Sequence, residues 1–184
     1  LRAGALPTRH DENWHYADLR AIESVQRFAP AAAAATAQLA LPAPLPGFTR
    51  LVLCDGRLQP ASAAALAATK TLQRLPRAAT TGAGNDALDT SVDGRLGLIA
   101  GMFAPEPLAL RVQGKLALEI IAVGSGDTAA RYTDVAIELT PDARLQLVER
   151  QLGGAAGEIA APLAAPFICG RLQLQLGARA ELLH

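Results

Sequence analysis

Residues 132–147 read YTDVAIELTPDARLQL, and residues 172–182 read LQLQLGARAEL. In both segments apolar and polar residues alternate around a short Asp-Ala or Gly-Ala step, and the second segment follows the first after about 35 residues. Alternation with a period of two is typical of strands that bury one face. A strand–corner–strand unit that recurs in this way indicates an internal repeat whose units stack on one another. The repeat favours a β-solenoid, and a β-sandwich of about six or seven strands is the alternative.

The composition describes a globular chain with balanced charge. Its 184 residues include 17 Lys and Arg and 17 Asp and Glu, which suits one large domain or two small ones. Because no basic stripe with interleaved aromatic residues occurs, nucleic acid is not an expected partner. The uncharged stretch 28–49 contains four prolines and much alanine, which argues against a membrane span. Two cysteines and the lack of a signal peptide predict a cytoplasmic protein.

Both ends interrupt the strand pattern. The chain starts at Leu1 without a methionine and stops at His184 within an alternating segment. A solenoid normally ends in an atypical repeat that covers its last edge, and the sequence shows no such repeat. We therefore expect a fragment of a longer protein, which either self-associates through its uncovered C-terminal strand edge or frays there.

The most distinctive local sequence is LPTRHDENWHYADLR at residues 6–20, which contains the single Trp of the chain and one of its two Tyr. The simplest interpretation is that Trp14 and Tyr16 are buried and fix the N-terminal segment to the domain. His10 and His15 do not have the spacing of zinc ligands, and no third ligand follows at a suitable distance. The segment therefore predicts a structural role and no metal site.

This segment resembles the N-terminal signature of the SufD family, which has Leu-Pro-x-Arg followed by Glu-x-Trp-basic-Tyr-Thr-Asp. His15 occupies the usual basic position, and Ala17 replaces the usual small hydroxyl residue. The residues that match the signature are Pro7, Arg9, Glu12, Trp14, Tyr16 and Asp18.

The resemblance implies a mixed, mainly β fold in two parts. Residues 1–104 would form a helical N-terminal domain with a small hairpin, and residues 105–184 the first coils of a right-handed parallel β-helix. SufD proteins are scaffold subunits of iron–sulfur cluster assembly. They pair with SufB, and both bind the ATPase SufC through a C-terminal helical domain.

On this basis we expect a non-catalytic scaffold fragment without a cofactor of its own. The family positions proposed to handle the cluster lie beyond the part that this chain matches. No catalytic, cofactor-binding or metal-binding residue is therefore assigned, and SufC binding is expected to be absent. A β-solenoid enzyme or carbohydrate-binding module is the alternative, although Tyr132 and Phe167 are the only aromatic residues of the strand region.

The hydropathy pattern also predicts individual elements before the repeat and within its first unit. Asp55-Gly56 is a favoured two-residue turn, so residues 48–59 should form a hairpin. The predicted helices cover residues 18–40, with a break at Pro30, and residues 61–69 and 85–103. Residues 70–75 are predicted as a strand or an extended exit from the preceding helix, and strands are predicted at residues 108–112, 116–123, 132–139 and 144–152.

Three side chains could suggest chemistry, but each has a simpler structural interpretation. Cys54 has no neighbouring His or second Cys, which predicts a buried apolar thiol. Cys169 alternates with Phe167 and is expected to point into the core. Glu149 has no second carboxylate at a defined spacing, so we expect a solvated charge on a strand face.

Overall fold

The computed structural model describes residues 41–76, 95–124, 130–152 and 167–184. The predicted helices of residues 18–40 and all six signature residues lie outside these ranges. The described helices are α1 (Pro60–Ala68) and α2 (Arg95–Phe103). The described strands are β1 (Thr49–Cys54), β2 (Arg57–Leu58), β3 (Leu72–Arg74), β4 (Leu108–Val112), β5 (Lys115–Val123), β6 (Arg131–Leu139), β7 (Arg144–Leu152), β8 (Ile168–Leu176) and β9 (Glu181–Leu183).

The strands form two sheets. The five-stranded sheet has the order β2-β1-β5-β7-β9, and the four-stranded sheet has the order β3-β4-β6-β8. From β5 onwards, each strand lies in the opposite sheet from the strand that precedes it in sequence. Neighbouring strands are parallel except at one end of each sheet. There β2 is antiparallel to β1, and β3 is antiparallel to β4. A mainly β fold with few helices is thus confirmed for the described residues.

The two halves of the sequence repeat lie directly beside each other. Val135 pairs with Leu172 in the four-stranded sheet, and Leu145 pairs with Leu182 in the five-stranded sheet. Equivalent residues such as Asp134 and Arg171 are 37 positions apart, slightly more than the sequence pattern indicates. The predicted repeat therefore corresponds to a real stacking of strand on strand.

The main core fills the space between the two sheets. Side chains from both sheets meet there in rows, since alternate residues of a strand point to the same face. Burial of each such side chain stabilises the fold by about 1.5–3 kcal/mol. The core residues with the least exposure include Leu51, Leu108, Leu110, Val112, Leu118 and Ile137.

The connections from the four-stranded to the five-stranded sheet form stacked corners. Gly114, Asp142 and Arg179 all have positive φ angles, of 69°, 60° and 57°. The amide of Arg144 donates to the Gly114 carbonyl at 2.7 Å, and the amide of Asp142 donates to the Ala178 carbonyl at 2.9 Å. Each corner thus provides backbone hydrogen bonds to the next one.

The predicted hairpin and its turn are confirmed. Cys54 pairs with Arg57 across the Asp55-Gly56 turn, whose φ angles of 48° and 78° suit a two-residue hairpin loop. A Cβ atom on Gly56 would lie 2.2 Å from the backbone oxygen of Tyr132, so this position also requires the absence of a side chain.

Helix α1 covers part of the free side of β1. The Val52 amide donates to Ser62 Oγ at 2.8 Å, and the Gln59 amide donates to the Val52 carbonyl at 2.9 Å. These bonds satisfy backbone groups that an edge strand would otherwise expose.

The outer face of the five-stranded sheet is also partly buried. Val52, Cys54, Ile121 and Val123 form a second apolar cluster there, with Leu152 packed against it. Apolar residues of β7 therefore lie on both faces of the sheet: Leu145 and Leu147 belong to the main core, and Leu152 packs against the second cluster. Glu149 has the same parity as Leu145 and Leu147, so it lies on the inner face of the sheet, where its side chain remains exposed, as expected for a solvated charge on a strand face.

Helix α2 packs against the outer face of the four-stranded sheet. The apolar residues Ala100, Ala130, Tyr132 and Cys169 form a third cluster under this helix. Cys169 is buried, as predicted, but it has the opposite parity from the inward Leu172 and therefore points away from the main core. An isolated alternation cannot reveal this because a helix from elsewhere in the chain covers the outer face.

Candidate interaction surface

Exposed leucines lie at the end of the two sheets that is formed by β8 and β9. Among the described residues, no strand pairs with the outer edge of β8, and β9 covers only Arg144–Gln146 of β7. Leu176 and Leu183 are 49% and 66% exposed. Unpaired strand edges with exposed leucines can pair with another chain.

A small cavity of about 110 Å³ opens between the sheets near this end. Its walls include Leu53 and Ala122 from one sheet and Thr133 and Gly170 from the other. A Cβ atom on Gly170 would lie 2.9 Å from Thr133 Oγ1, so the missing side chain helps to leave this space open. The cavity is too small for a cofactor and suits a few water molecules at most.

Glu149 lies at the same end and lines this cavity. Its Oε2 atom is 3.1 Å from His184 Nε2, and its side chain is 36% exposed. No second carboxylate lines the cavity among the described residues, so the pair that general acid–base catalysis by two carboxylates requires is missing there.

A wider depression of about 420 Å³ lies where β5, β7 and β9 begin. Lys115, Arg144 and Glu181 contribute charged groups to it, and Leu183 contributes an exposed apolar group. Arg144 and Glu181 form an ion pair at 3.0 Å, with both side chains more than half exposed. This depression extends the accessible surface around β9.

Cys54 has the environment of a structural thiol. It is buried in the outer cluster, and its Sγ lies 3.8 Å from Asp55 Oδ2. Burial and the neighbouring Asp55 carboxylate raise the pKa of the Cys54 thiol, against a smaller opposite effect of Arg131 and Arg57. A raised pKa disfavours the reactive thiolate form.

Cys169 is similarly shielded. Its Sγ donates to the Leu96 carbonyl at 3.2 Å, and burial raises the pKa of the thiol.

The ring of Tyr132 lies between Phe103 and Phe167, with centroid distances of 5.3 and 6.1 Å. Burial, with a smaller contribution from Cys169, raises the pKa of Tyr132 to about 12.

Among the described residues, ion pairs around the buried Glu119 and Asp55 carboxylates hold strands together, and neither pair was expected from the sequence. Glu119, which is fully buried on the outer face of β5, contacts Arg50 at 2.7 Å and Arg150 at 3.2 Å. Arg50 also donates to the carbonyls of Pro42 and Ala43, at 2.8 and 2.7 Å. Glu119 thus links three strands and fixes the proline-rich segment beside them.

The Asp55 pair lies under the hairpin turn, where Arg131 Nε is 3.3 Å from Asp55 Oδ1. Both side chains are almost fully buried. Their partners are far apart in sequence, so no local motif could have found them. Their burial and pairing indicate a structural role, since strand-linking ion pairs need no substrate to account for them.

The described residues contain no group of three or more His, Cys, Asp or Glu side chains that could hold a metal ion. Neither α1 nor α2 has the length and apolar character that a membrane crossing requires. The six signature residues cannot be related to these sites, because they lie outside the described ranges. Comparisons of the chain with protein-family models, curated proteins and solved structures give no match.

Proposed function

We propose that this chain is a SufD-like scaffold piece that acts in cytoplasmic iron–sulfur cluster assembly without catalysing a reaction itself. The main support is the alternation of strands β4 to β9 between two mixed, mainly parallel sheets, with corners stacked on one another. This is the arrangement expected of coils in a β-helix, the fold that the N-terminal sequence resemblance implies. The proposal includes that finer description of the fold.

The distribution of charged and apolar groups supports a scaffold more than an enzyme. The buried carboxylates Glu119 and Asp55 are occupied by arginines that link strands. Both described cysteines have raised thiol pKa values, and the accessible features include a strand edge and exposed leucines. These features favour association with protein over chemistry on a small substrate.

The alternative, a carbohydrate-binding or enzymatic β-solenoid, has less support. Such a module would use aromatic side chains along an exposed strand face. Tyr132 is 1% exposed, and its ring contacts those of Phe103 and Phe167 beneath α2, so it is not available to a sugar.

The proposal is tested in the host, with the gene that encodes this chain. Deletion should lower the activity of a dehydratase that needs a [4Fe–4S] cluster, while a cluster-free dehydrogenase serves as the control. A tagged copy of the complete gene product should restore the activity and co-purify with SufB-type and SufC-type subunits. Unchanged dehydratase activity in the deletion strain under iron limitation would refute the proposal.

A second measurement addresses the absence of a cluster on the chain itself. A stable cluster usually takes four ligands, and this chain has two cysteines. After anaerobic incubation with iron and sulfide, the purified chain should stay colourless. A stoichiometric visible absorption band would contradict this part of the proposal.

A further inference from the structure

The last coil of the proposed β-helix consists of β8 and β9. Its leucine alternation does not define a single strand register. Leu172, Leu174 and Leu176 would still point inward if β8 moved by two residues along β6, because side chains alternate with a period of two. Some other feature has to distinguish the observed register from these two-residue shifts.

Three arginine–carboxylate pairs connect the last coil to the one beside it, and all three have the same sequence offset, whereas the His184–Glu149 contact has a shorter one. Asp134 accepts two hydrogen bonds from Arg171, at 2.8 and 2.7 Å. Asp142 accepts two from Arg179, at 2.6 and 2.7 Å. The register partners Arg144 and Glu181 form the third pair, at 3.0 Å.

A forward shift by two residues would remove all three pairs. It would place Asp142 opposite Glu181, a contact between like charges. A backward shift would also remove them and would place Arg144 opposite Arg179, again with like charges. Like charges that face each other across strands destabilise the pairing.

We propose that this charge pattern selects the register of β8 and β9, and that the outer ion pairs exclude the two neighbouring registers that the leucines allow. Two of the pairs are more than half exposed, and such pairs add little stability by themselves. They act on the free-energy difference between the observed and the shifted registers, since a shift replaces an attraction with a repulsion.

Single substitutions should bias the chain towards opposite shifts. Glu181→Arg replaces the attraction to Arg144 with repulsion, and creates an attraction to Asp142 in the forward shift. Arg179→Glu replaces the attraction to Asp142 with repulsion, and creates an attraction to Arg144 in the backward shift.

The register is measured in the full chain with pairs of introduced cysteines on the outer face of β6 and β8. Ala136→Cys with Gln173→Cys reports the observed register, in which these residues are partners. Ala136→Cys with Gln175→Cys reports the forward shift, and Glu138→Cys with Gln173→Cys reports the backward shift. Mild oxidation and peptide mass mapping then identify the bridge that forms in each variant.

Glu181→Arg should raise the forward bridge about fivefold, and Arg179→Glu the backward bridge by a similar factor. In 1 M salt both increases should disappear, because ionic screening weakens exposed pairs. The milder changes Glu181→Gln and Arg179→Gln, each with about a twofold increase, serve if a charge reversal prevents folding. The proposal would be overturned if the bridge yields did not change, or if the forward and backward bridges rose together in one variant. It would also be overturned if the increases were the same in 1 M salt.

Discussion

At the scale of single residues, Glu119 is the charge with the largest structural consequence. Its carboxylate is fully buried, and it is shared between Arg50 and Arg150. Removal of one member of a buried ion pair leaves the others without compensation, and such changes cost about 3–5 kcal/mol.

We therefore predict that Glu119→Gln lowers the free energy of unfolding by about 3 kcal/mol or more. Denaturant titration measures this value. Glu138→Gln is the matched control, because Glu138 also pairs with an arginine, Arg111, but is 29% exposed. The control should change stability by about 1 kcal/mol or less. Equal effects of the two substitutions would show that burial of Glu119 has no special importance.

Tyr132 provides a prediction about pH. Its pKa is raised to about 12 from an ordinary value of 10.0, chiefly by burial. The unfolded chain therefore loses this proton first as the pH rises. The contribution of the protonated Tyr132 to the free energy of unfolding is fully present below pH 10 and is lost between about pH 10 and 12.

In wild type, the loss of stability between pH 9 and 11.5 should exceed that of Tyr132→Phe by about 2 kcal/mol. Denaturant titrations of both proteins at the two pH values test this. The comparison of slopes removes any constant effect of the missing hydroxyl. Parallel pH dependence in the two proteins would contradict a raised pKa.

At the scale of elements, the position of α2 depends on small residues above Arg171. A Cβ atom on Gly101 would lie 2.7 Å from Arg171 Nη2, and Asp134 holds this guanidinium with two hydrogen bonds. A Cβ atom on Gly97 would meet Arg171 Cδ at 3.5 Å, an ordinary contact.

The two glycines should therefore respond oppositely to alanine. Gly97→Ala should stabilise the protein by about 0.5–1 kcal/mol, because alanine favours helix more than glycine does. Gly101→Ala should destabilise it by about 1–3 kcal/mol, because the added methyl group displaces either α2 or Arg171. Thermal or chemical unfolding measures both. Stabilisation by Gly101→Ala would mean that α2 does not rest on Arg171.

At the scale of the whole molecule, the two ends of the stack differ. At one end the antiparallel strands β2 and β3 and helix α1 lie beside the first parallel strands. At the other end β8 has an open edge among the described residues, next to the exposed Leu176 and Leu183. The formal net charge of zero provides little repulsion between copies.

We predict that the purified chain self-associates through this edge in a concentration-dependent manner. Sedimentation velocity over a concentration series should show dimers or larger species, and Leu176→Glu should shift them towards monomer. Met102→Glu is the control, since Met102 is 58% exposed but lies on α2. A wild-type chain that stays monomeric at all concentrations would disprove the prediction.

The sequence alone determined the features that depend on neighbouring residues. Alternation located β4 to β7, the Asp55-Gly56 pair located the hairpin, and the recurrence of one strand–corner–strand unit indicated two units side by side, which are β6 with β8 and β7 with β9. These signals are reliable because side-chain alternation and turn conformation are set within a few residues.

Only the tertiary structure decided which strands and faces meet. β1 pairs in parallel with β5, and the Arg50–Glu119 contact spans 69 positions, so no short pattern could reveal either. The outward position of Cys169 and the inward position of Glu149 have the same explanation. A strand pattern distinguishes two faces, but the elements that pack on each face determine which one is buried.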